Sequence, residues 1–471
     1  MKLKNTILKK TKIIATAGPS FREEEDMRKM FKAGVNIVRL NTSHGTIEDH
    51  EKIFDNVVKI RNELDLPISI LLDTKGPEIR INKIENDIMP VKMNQILKIN
   101  NKIDFIGKNG EFSIDYEKLF EKIKIHEKIM IDDGKLTLEV IKVEKDKKII
   151  EVKALNSHQI STKKSVNIPG LDLGLNILAE SDKKFITWGV KKGIDYIALS
   201  FVMTKEDIIT VRKFLSKING KNVKIISKIE TLKAIDNLTN IINNSDGIMF
   251  ARGDLEIEIP FQKIPFFEKI IIQKCRASRI PIIIATQLLD SMTHNPKPTR
   301  AEVTDVYYAV QSGTDAVMLS GESASGEFPL ETVKTMSKIA LEAERNYNYL
   351  TSFEDGYAHV DSSNAESAFS IAQTSLTNES KYIFAISEKG RLLKALSVFR
   401  PNANIIGLTT SKNLRHKLNL EYGINVKLIK NKNIYDNNEK ISAIAKEIGL
   451  VKNTKIIVAD KKNYREMLVK Y

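Results

Sequence analysis

A (β/α)8 TIM barrel with an inserted all-β lid domain and a C-terminal α/β domain is the fold this sequence predicts, on three observations. Eight near-continuous apolar runs alternate with segments of helical period over residues 1–76 and 177–345. The alternation breaks once, after LLDTKGPEIR, for about 100 residues, too many for a loop inside a compact domain. After about residue 350 a different α/β pattern begins.

Bulk properties set the frame. The 471 residues suffice for two or three domains with sizeable cores. With 42% hydrophobic and 28% charged residues the chain reads as soluble and globular. No apolar run reaches the ~20 residues a bilayer demands. The basic N-terminus, MKLKNTILKKTKIIATAG, holds only a short β-like run without a cleavage site, so a cytoplasmic location is expected. The single cysteine, Cys275, excludes an intrachain disulfide and a cysteine-built metal site. It lies on an apolar helix stripe and reads as core. The net charge of +14 comes from lysine scattered along the whole chain. Without aromatic-basic interleaving it describes solvated surface, so neither nucleic acid nor membrane is an expected partner.

The barrel strands follow in order: TKIIATAG, NIVRLN, SILLDT, YIALSF, KIISKIE, GIMFARGD, PIIIATQ and AVMLSGES. Runs apolar on both faces mark parallel strands covered by helices, and eight in this length favour closure into a barrel. Residues 77–176 carry their own short strands (QILKIN, KIMIDD, LTLEVIKV, KIIEVKAL) and the turn DDGK. They predict an inserted β-barrel placed to act as a lid that excludes water. Residues 350–471 alternate AESAFSIAQTSLT, YIFAIS, GRLLKALSVF, NIIGLT, NLRHKLNL, INVKLI, EKISAIAKEIG and KIIVAD. A mostly parallel sheet with helices follows.

The chemistry sits where strands end. Four successive runs finish in Lys228 and Glu230, in Gly253 and Asp254, in Thr286, and in Ser320 and Glu322. Lys228 and Glu230, two apart in a strand, leave the same face. Asp254 ends the next strand, ~5 Å away in the sheet direction. Two carboxylates side by side repel unless a hard divalent cation lies between them. Magnesium held by two protein oxygens and completed by substrate phosphates and water fits. Lys228 then supplies charge to a phosphoryl group in transfer. A structural Lys–Glu pair is the plainer reading, but Asp254, Thr286 and Glu322 on adjacent strands outweigh it. Gly253 stands where a strand turns into a helical start, whose N–H groups bind carboxylate or phosphate. Thr286 can add a hydroxyl donor.

On the second strand, RLNTSHG, Arg39, Asn41 and Ser43 alternate to one side, and the third strand ends in Asp73 and Thr74. Four weak-field oxygens with one negative charge suit a monovalent cation. Arg39 and Arg80 are candidate phosphate forks. Thr299 and Glu302 read as a structural capping box behind Pro298. His44 and His294 have no partner at metal-ligand spacing.

Together these motifs resemble the pyruvate kinase family. TKIIATAGPS, VRLNTSHG, LLDTKGPEIR, IDDGKL, VNIPG, ISKIE, MFARGDL, IATQLLDSM, NPKPTRAEVTDV and MLSGESASGEFP stand in the family's order, from residue ~11 to ~345. The insert after the third strand is also that family's arrangement. The resemblance implies transfer of phosphate from phosphoenolpyruvate to ADP, giving pyruvate and ATP. Lys228 would stabilise the moving phosphoryl, and Glu230 and Asp254 would hold Mg2+ or Mn2+. Arg39, Lys228, Gly253, Asp254 and Thr286 would fix phosphoenolpyruvate. Asn41, Ser43, Asp73 and Thr74 would bind K+. Asn41, Thr42, Ser43, His44, Arg80 and, from the lid, Lys164 would meet the nucleotide. Thr286 through water, with Ser320 and Glu322 nearby, would protonate the enolate. The family's usual assembly implies a homotetramer.

Departures from the pattern are specific. Thr42 replaces an aromatic, and Glu256 stands where the family has glycine, expected to point outward. Ser323 replaces threonine, and Tyr307 and Tyr308 replace small residues on the seventh helix. SEKGRLL, with Glu388, and the tail ADKKNYREMLVKY argue against activation by fructose 1,6-bisphosphate, although Lys389 and Arg391 keep some basic character. Two rival readings stand beside the kinase. A barrel lyase or aldolase would also stabilise a pyruvate enolate on magnesium, but has no need of the insert with Arg80 and Lys164. A binding protein acting through basic surface has no need of Lys228, Glu230 and Asp254.

Overall fold

A computed structural model describes residues 9–102, 104–171, 173–357 and 363–471. Eight parallel strands close into a barrel: Lys12–Thr16, Ile37–Asn41, Ser69–Asp73, Tyr196–Leu199, Lys224–Ile229, Gly247–Ala251, Ile282–Ala285 and Ala316–Leu319. The first strand pairs with both the second and the eighth. Side chains alternate between the barrel interior and the helix layer. Toward the base the interior positions are apolar (Ile14, Ile37, Leu71, Ile226). Two residues further along each strand the same face presents Thr16, Arg39, Asp73 and Lys228. The barrel is therefore greasy at one end and charged at its C-terminal end, where such folds work.

The insert is a curled seven-stranded sheet with an added two-stranded ribbon, Ile88–Val91 against His158–Ser161. Its ladder does not close as the expected β-barrel does. The edge strands meet at one bridge, Ile81 with Ile114. The insert has its own apolar core around Leu97, Phe112, Ile129 and Leu138. One buried carboxylate gathers both of its connections to the barrel. Asp182 accepts from the amides of Lys75 (3.1 Å) and Gly76 (3.2 Å) on the way in, and from Ala179 (3.3 Å) on the way out. Gly76 must be glycine. Its φ is 74°, and a Cβ there would lie 2.8 Å from the Phe201 ring and 2.9 Å from Ser200.

The C-terminal sheet has five strands, ordered Ile424–Leu428, Asn404–Thr409, Tyr382–Ile386, Lys455–Ala459, Tyr464–Leu468. Four are parallel, and the last is an antiparallel edge strand formed by the tail. This domain plugs the barrel's base: Leu420 packs among Ile14, Leu71, Tyr196 and Ile283. The Tyr196 hydroxyl donates to the Lys417 carbonyl at 2.8 Å.

Candidate active site

At the charged end of the barrel two clefts run beneath the insert. One, of about 340 Å³, reaches Asp254, Thr231 and Phe201. The other, of about 780 Å³, passes Ser43, His44, Lys75, Arg80 and Lys163.

Lys228 is the hub of the interior charges. Its ammonium lies 2.8 Å from Glu230 Oε1 and 3.3 Å from Asp73 Oδ1, and donates to Ser200 Oγ at 2.8 Å. Burial alone would favour the neutral amine. The charges of Asp73, Glu230 and Asp254 reverse this and hold the pKa above the ordinary lysine value. Asp73 is fully buried, and its Oδ2 accepts from Arg39 Nε at 2.6 Å. Burial opposes its ionisation, yet Lys228 and Arg39 keep its pKa below the usual carboxylate range. Arg39 also donates to Thr16 Oγ1 at 3.0 Å.

Glu230 Oε2 accepts the Phe201 amide at 2.7 Å. Burial pushes its pKa up, Lys228 pulls against that, and the neighbouring charge of Asp254 adds to it, so the net shift is upward. Lys228 and Arg39 thus face three carboxylates, Asp73, Glu230 and Asp254. Ionising Glu230 beside Asp254 is therefore opposed by burial and by like charge, a cost that a bound cation would remove. The chemistry of those two carboxylates fits a hard divalent cation completed by substrate and water.

Thr286, the first residue beyond the seventh strand, has φ of 69°, and Gln287 follows at 55°. Its hydroxyl accepts from the Gly253 amide at 2.9 Å and donates to the Ala285 carbonyl at 2.6 Å. The Gly253 amide, expected to face a ligand, is therefore capped by Thr286. Asp254 lies in the first turn of the helix Arg252–Glu258, and Glu256 on that helix is exposed, as expected.

The structure moves several expected residues. The second strand stops at Asn41, and Ser43 lies in the following turn, where its amide donates to Asn41 Oδ1 at 3.2 Å. Thr42 is buried. Its amide (3.0 Å) and hydroxyl (2.9 Å) both donate to the Asp73 carbonyl, so its side chain faces the third strand. Thr74 is also buried, its hydroxyl accepting from the Ser200 amide at 3.1 Å and its carbonyl from the Ser200 hydroxyl at 2.6 Å. Asn41, Asp73 and Thr74 do converge, since Asn41 is the register partner of Asp73. Glu322 is 1% exposed and accepts from the amides of Ser320 (2.7 Å) and Leu289 (3.4 Å). It braces backbone and does not present its carboxylate at the rim. Arg80 spans Glu78 (Nε, 3.0 Å) and the Lys163 carbonyl (2.6 Å), and Lys164 pairs with Asp132 at 2.7 Å. Both lid cations are thus engaged by carboxylates.

Three working residues escaped the sequence reading. Ser200 and Phe201 follow the YIAL strand, and two-residue alternation from Ala198 points to Ser200. Arg252 precedes Gly253, and its buried guanidinium donates to the Thr286 carbonyl at 2.7 Å. No sequence pattern marks that contact.

Comparison with known proteins agrees with this architecture. The family model described as pyruvate kinase, barrel domain, matches residues 8–333, and that described as pyruvate kinase, alpha/beta domain, matches residues 365–465. The pyruvate kinase of Staphylococcus aureus strain USA300 is 38% identical over 456 residues, covering 96% of this chain and 77% of that protein. The pyruvate kinase of strain NCTC 8325 / PS 47 matches with the same identity and coverage. The crystal structure of a pyruvate kinase from Cryptosporidium parvum superposes with a TM-score of 0.92 at 34% identity, covering 98% of this chain and 97% of that one.

Proposed function

This chain belongs to the pyruvate kinase family, a phosphotransferase family that converts phosphoenolpyruvate and ADP to pyruvate and ATP, and we propose how its residues divide that work. The observation that carries the assignment is the buried cluster of Lys228, Arg39, Asp73 and Glu230 at the charged end of the barrel, with the half-buried Asp254 beside it.

Lys228, kept protonated by its acidic neighbours, offers a fixed positive charge to the phosphoryl group as its bond to the enol oxygen breaks and a bond to the terminal ADP oxygen forms. Arg39, already spanned by Asp73 and Thr16, directs its remaining N–H groups at the phosphate of phosphoenolpyruvate. Glu230 and Asp254 would hold the divalent ion, which would supply Lewis-acid charge to the reacting substrate. Gly253 and Asp254 receive the substrate carboxylate as the Thr286 hydroxyl gives up the Gly253 amide. Thr286, through water and beside Ser320, passes the proton that converts the enolate to pyruvate at its methylene carbon.

Asn41, Ser43, Asp73 and Thr74 form the monovalent site for K+. The nucleotide lies along the cleft past Asn41, Ser43, His44 and Arg80. Lys164 approaches from the insert once it leaves Asp132. The assembly proposed is a homotetramer. No helix among the described residues is long and apolar enough to cross a membrane, and the proposed location is the cytoplasm.

A lactate-dehydrogenase-coupled assay with phosphoenolpyruvate and ADP, run beside Lys228→Met, tests the reading. Wild-type turnover that matches the variant, or that proceeds without ADP, defeats it.

A further inference from the structure

The guanidinium of Arg252 is 9% exposed, unusual for a cation that contacts none of the charged cluster around Lys228. It is held from two sides. Asp305, on the helix Arg300–Gln311, lies 2.8 Å from Nη1, and Glu268, on the helix Ile264–Ala277, lies 3.5 Å away. The other arm, Nη2, donates to the Thr286 carbonyl at 2.7 Å. Two barrel helices therefore orient one planar fork, and the fork ends on a single backbone oxygen at the rim.

That oxygen belongs to a residue in a costly conformation. Thr286 is β-branched at φ 69°, and Gln287 continues at 55°. Side chains of this type hold left-handed backbone only where their surroundings impose it. In this pose the Thr286 hydroxyl meets the Gly253 amide at 2.9 Å. Arg252 also immediately precedes Gly253, so one side chain fixes the seventh strand's exit against the helix start beside it.

We propose that Arg252 is a positioning residue for phosphoenolpyruvate. It touches no reacting atom. Its bond to the Thr286 carbonyl keeps the left-handed turn in place, and with it the hydroxyl and the Gly253 amide that meet the substrate carboxylate. Without it the turn relaxes, and the hydroxyl and the Gly253 amide lose the alignment in which both can meet the carboxylate. The inference rests on Thr286 contacting substrate, as assigned above.

The test compares Arg252→Ala, Arg252→Lys, Asp305→Asn and Thr286→Ala in the full-length protein. Arg252→Ala should lower kcat/KM for phosphoenolpyruvate by roughly 10²-fold, the scale of a misplaced site. KM for ADP should stay unchanged. Free guanidinium at non-denaturing concentration should restore part of the loss. Arg252→Lys should recover little, because an ammonium cannot bridge Asp305 and the Thr286 carbonyl in one plane. Wild-type phosphoenolpyruvate kinetics in a folded Arg252→Ala, or a loss shared equally by both substrates with no guanidinium effect, overturns the proposal. Unchanged kinetics in Thr286→Ala would refute the substrate role of Thr286 and take the inference with it. An impaired Thr286→Ala beside an unimpaired Arg252→Ala refutes the clamp alone. Should Arg252→Ala not fold, Asp305→Asn decides: a smaller rise in KM confined to phosphoenolpyruvate supports the clamp, and unaltered kinetics overturns it.

Discussion

The Phe201 amide donates to Glu230 Oε2 at 2.7 Å from a backbone held at φ 56°, so an aromatic residue in the left-handed region aims a carboxylate of the proposed metal pair. The conformation costs on the order of 1–3 kcal/mol in a residue of this kind. Phe201→Val, β-branched and less tolerant still, should lower stability further and raise the magnesium concentration needed for half-maximal rate. Phe201→Gly relieves the strain and keeps the amide, so its magnesium dependence should stay near wild type. Rate against magnesium concentration, with urea midpoints for both variants, checks this.

Lys228→Met should be hit twice. Loss of the ammonium should reduce kcat by about 10²-fold or more. It also leaves Asp73 and Glu230 buried without their common cation, a change worth about 3–5 kcal/mol. The coupled assay and urea unfolding should both register it. Magnesium should return part of the stability and none of the rate, since it neutralises Glu230 without replacing the charge at Lys228.

Thr42 separates neighbouring residues by role. Its hydroxyl serves the Asp73 carbonyl at 2.9 Å. Thr42→Val should therefore cost about 1 kcal/mol of stability and leave KM for ADP unchanged. A marked rise in KM for ADP would return Thr42 to the nucleotide site.

Much of this architecture was legible in the residues, and what was not depends on backbone geometry. Strands covered on both faces need continuous apolar runs, so eight such runs could be counted. Interior alternation put Lys228 and Glu230 on one side and brought Asp254 next to them. The positive φ of Phe201 and Thr286 leaves no trace in composition, because neither residue favours it. Thr42 and Glu322 look like ligands in sequence, yet both turn to satisfy backbone groups. The edge strand Tyr464–Leu468 shows alternating exposure without strong apolar character, which hid it.

The junction between barrel and C-terminal domain sets an acid limit. His416 has its pKa lowered from 6.5 to about 3, first by burial and then by the charges of Arg61 and Arg415. The folded protein keeps the ring neutral while the unfolded chain protonates it below about pH 6.5. The unfolded state thus binds more protons as pH falls from 6.5 toward 3, and stability is lost across that window. At pH 5 the loss is on the order of 2 kcal/mol. His416→Gln should flatten the dependence of the urea midpoint between pH 7 and 5; an equal fall in both proteins would exclude His416 as the source.

Asp182 brings the two ends of the insert to one point on the barrel, and the insert carries a core of its own. A segment with adjoining ends and independent packing can be excised and the gap sutured by a short turn, or replaced by a foreign cassette. The other appendage allows no such surgery. Leu420 stoppers the barrel's floor, and cutting it away would let water into the strands that carry Lys228.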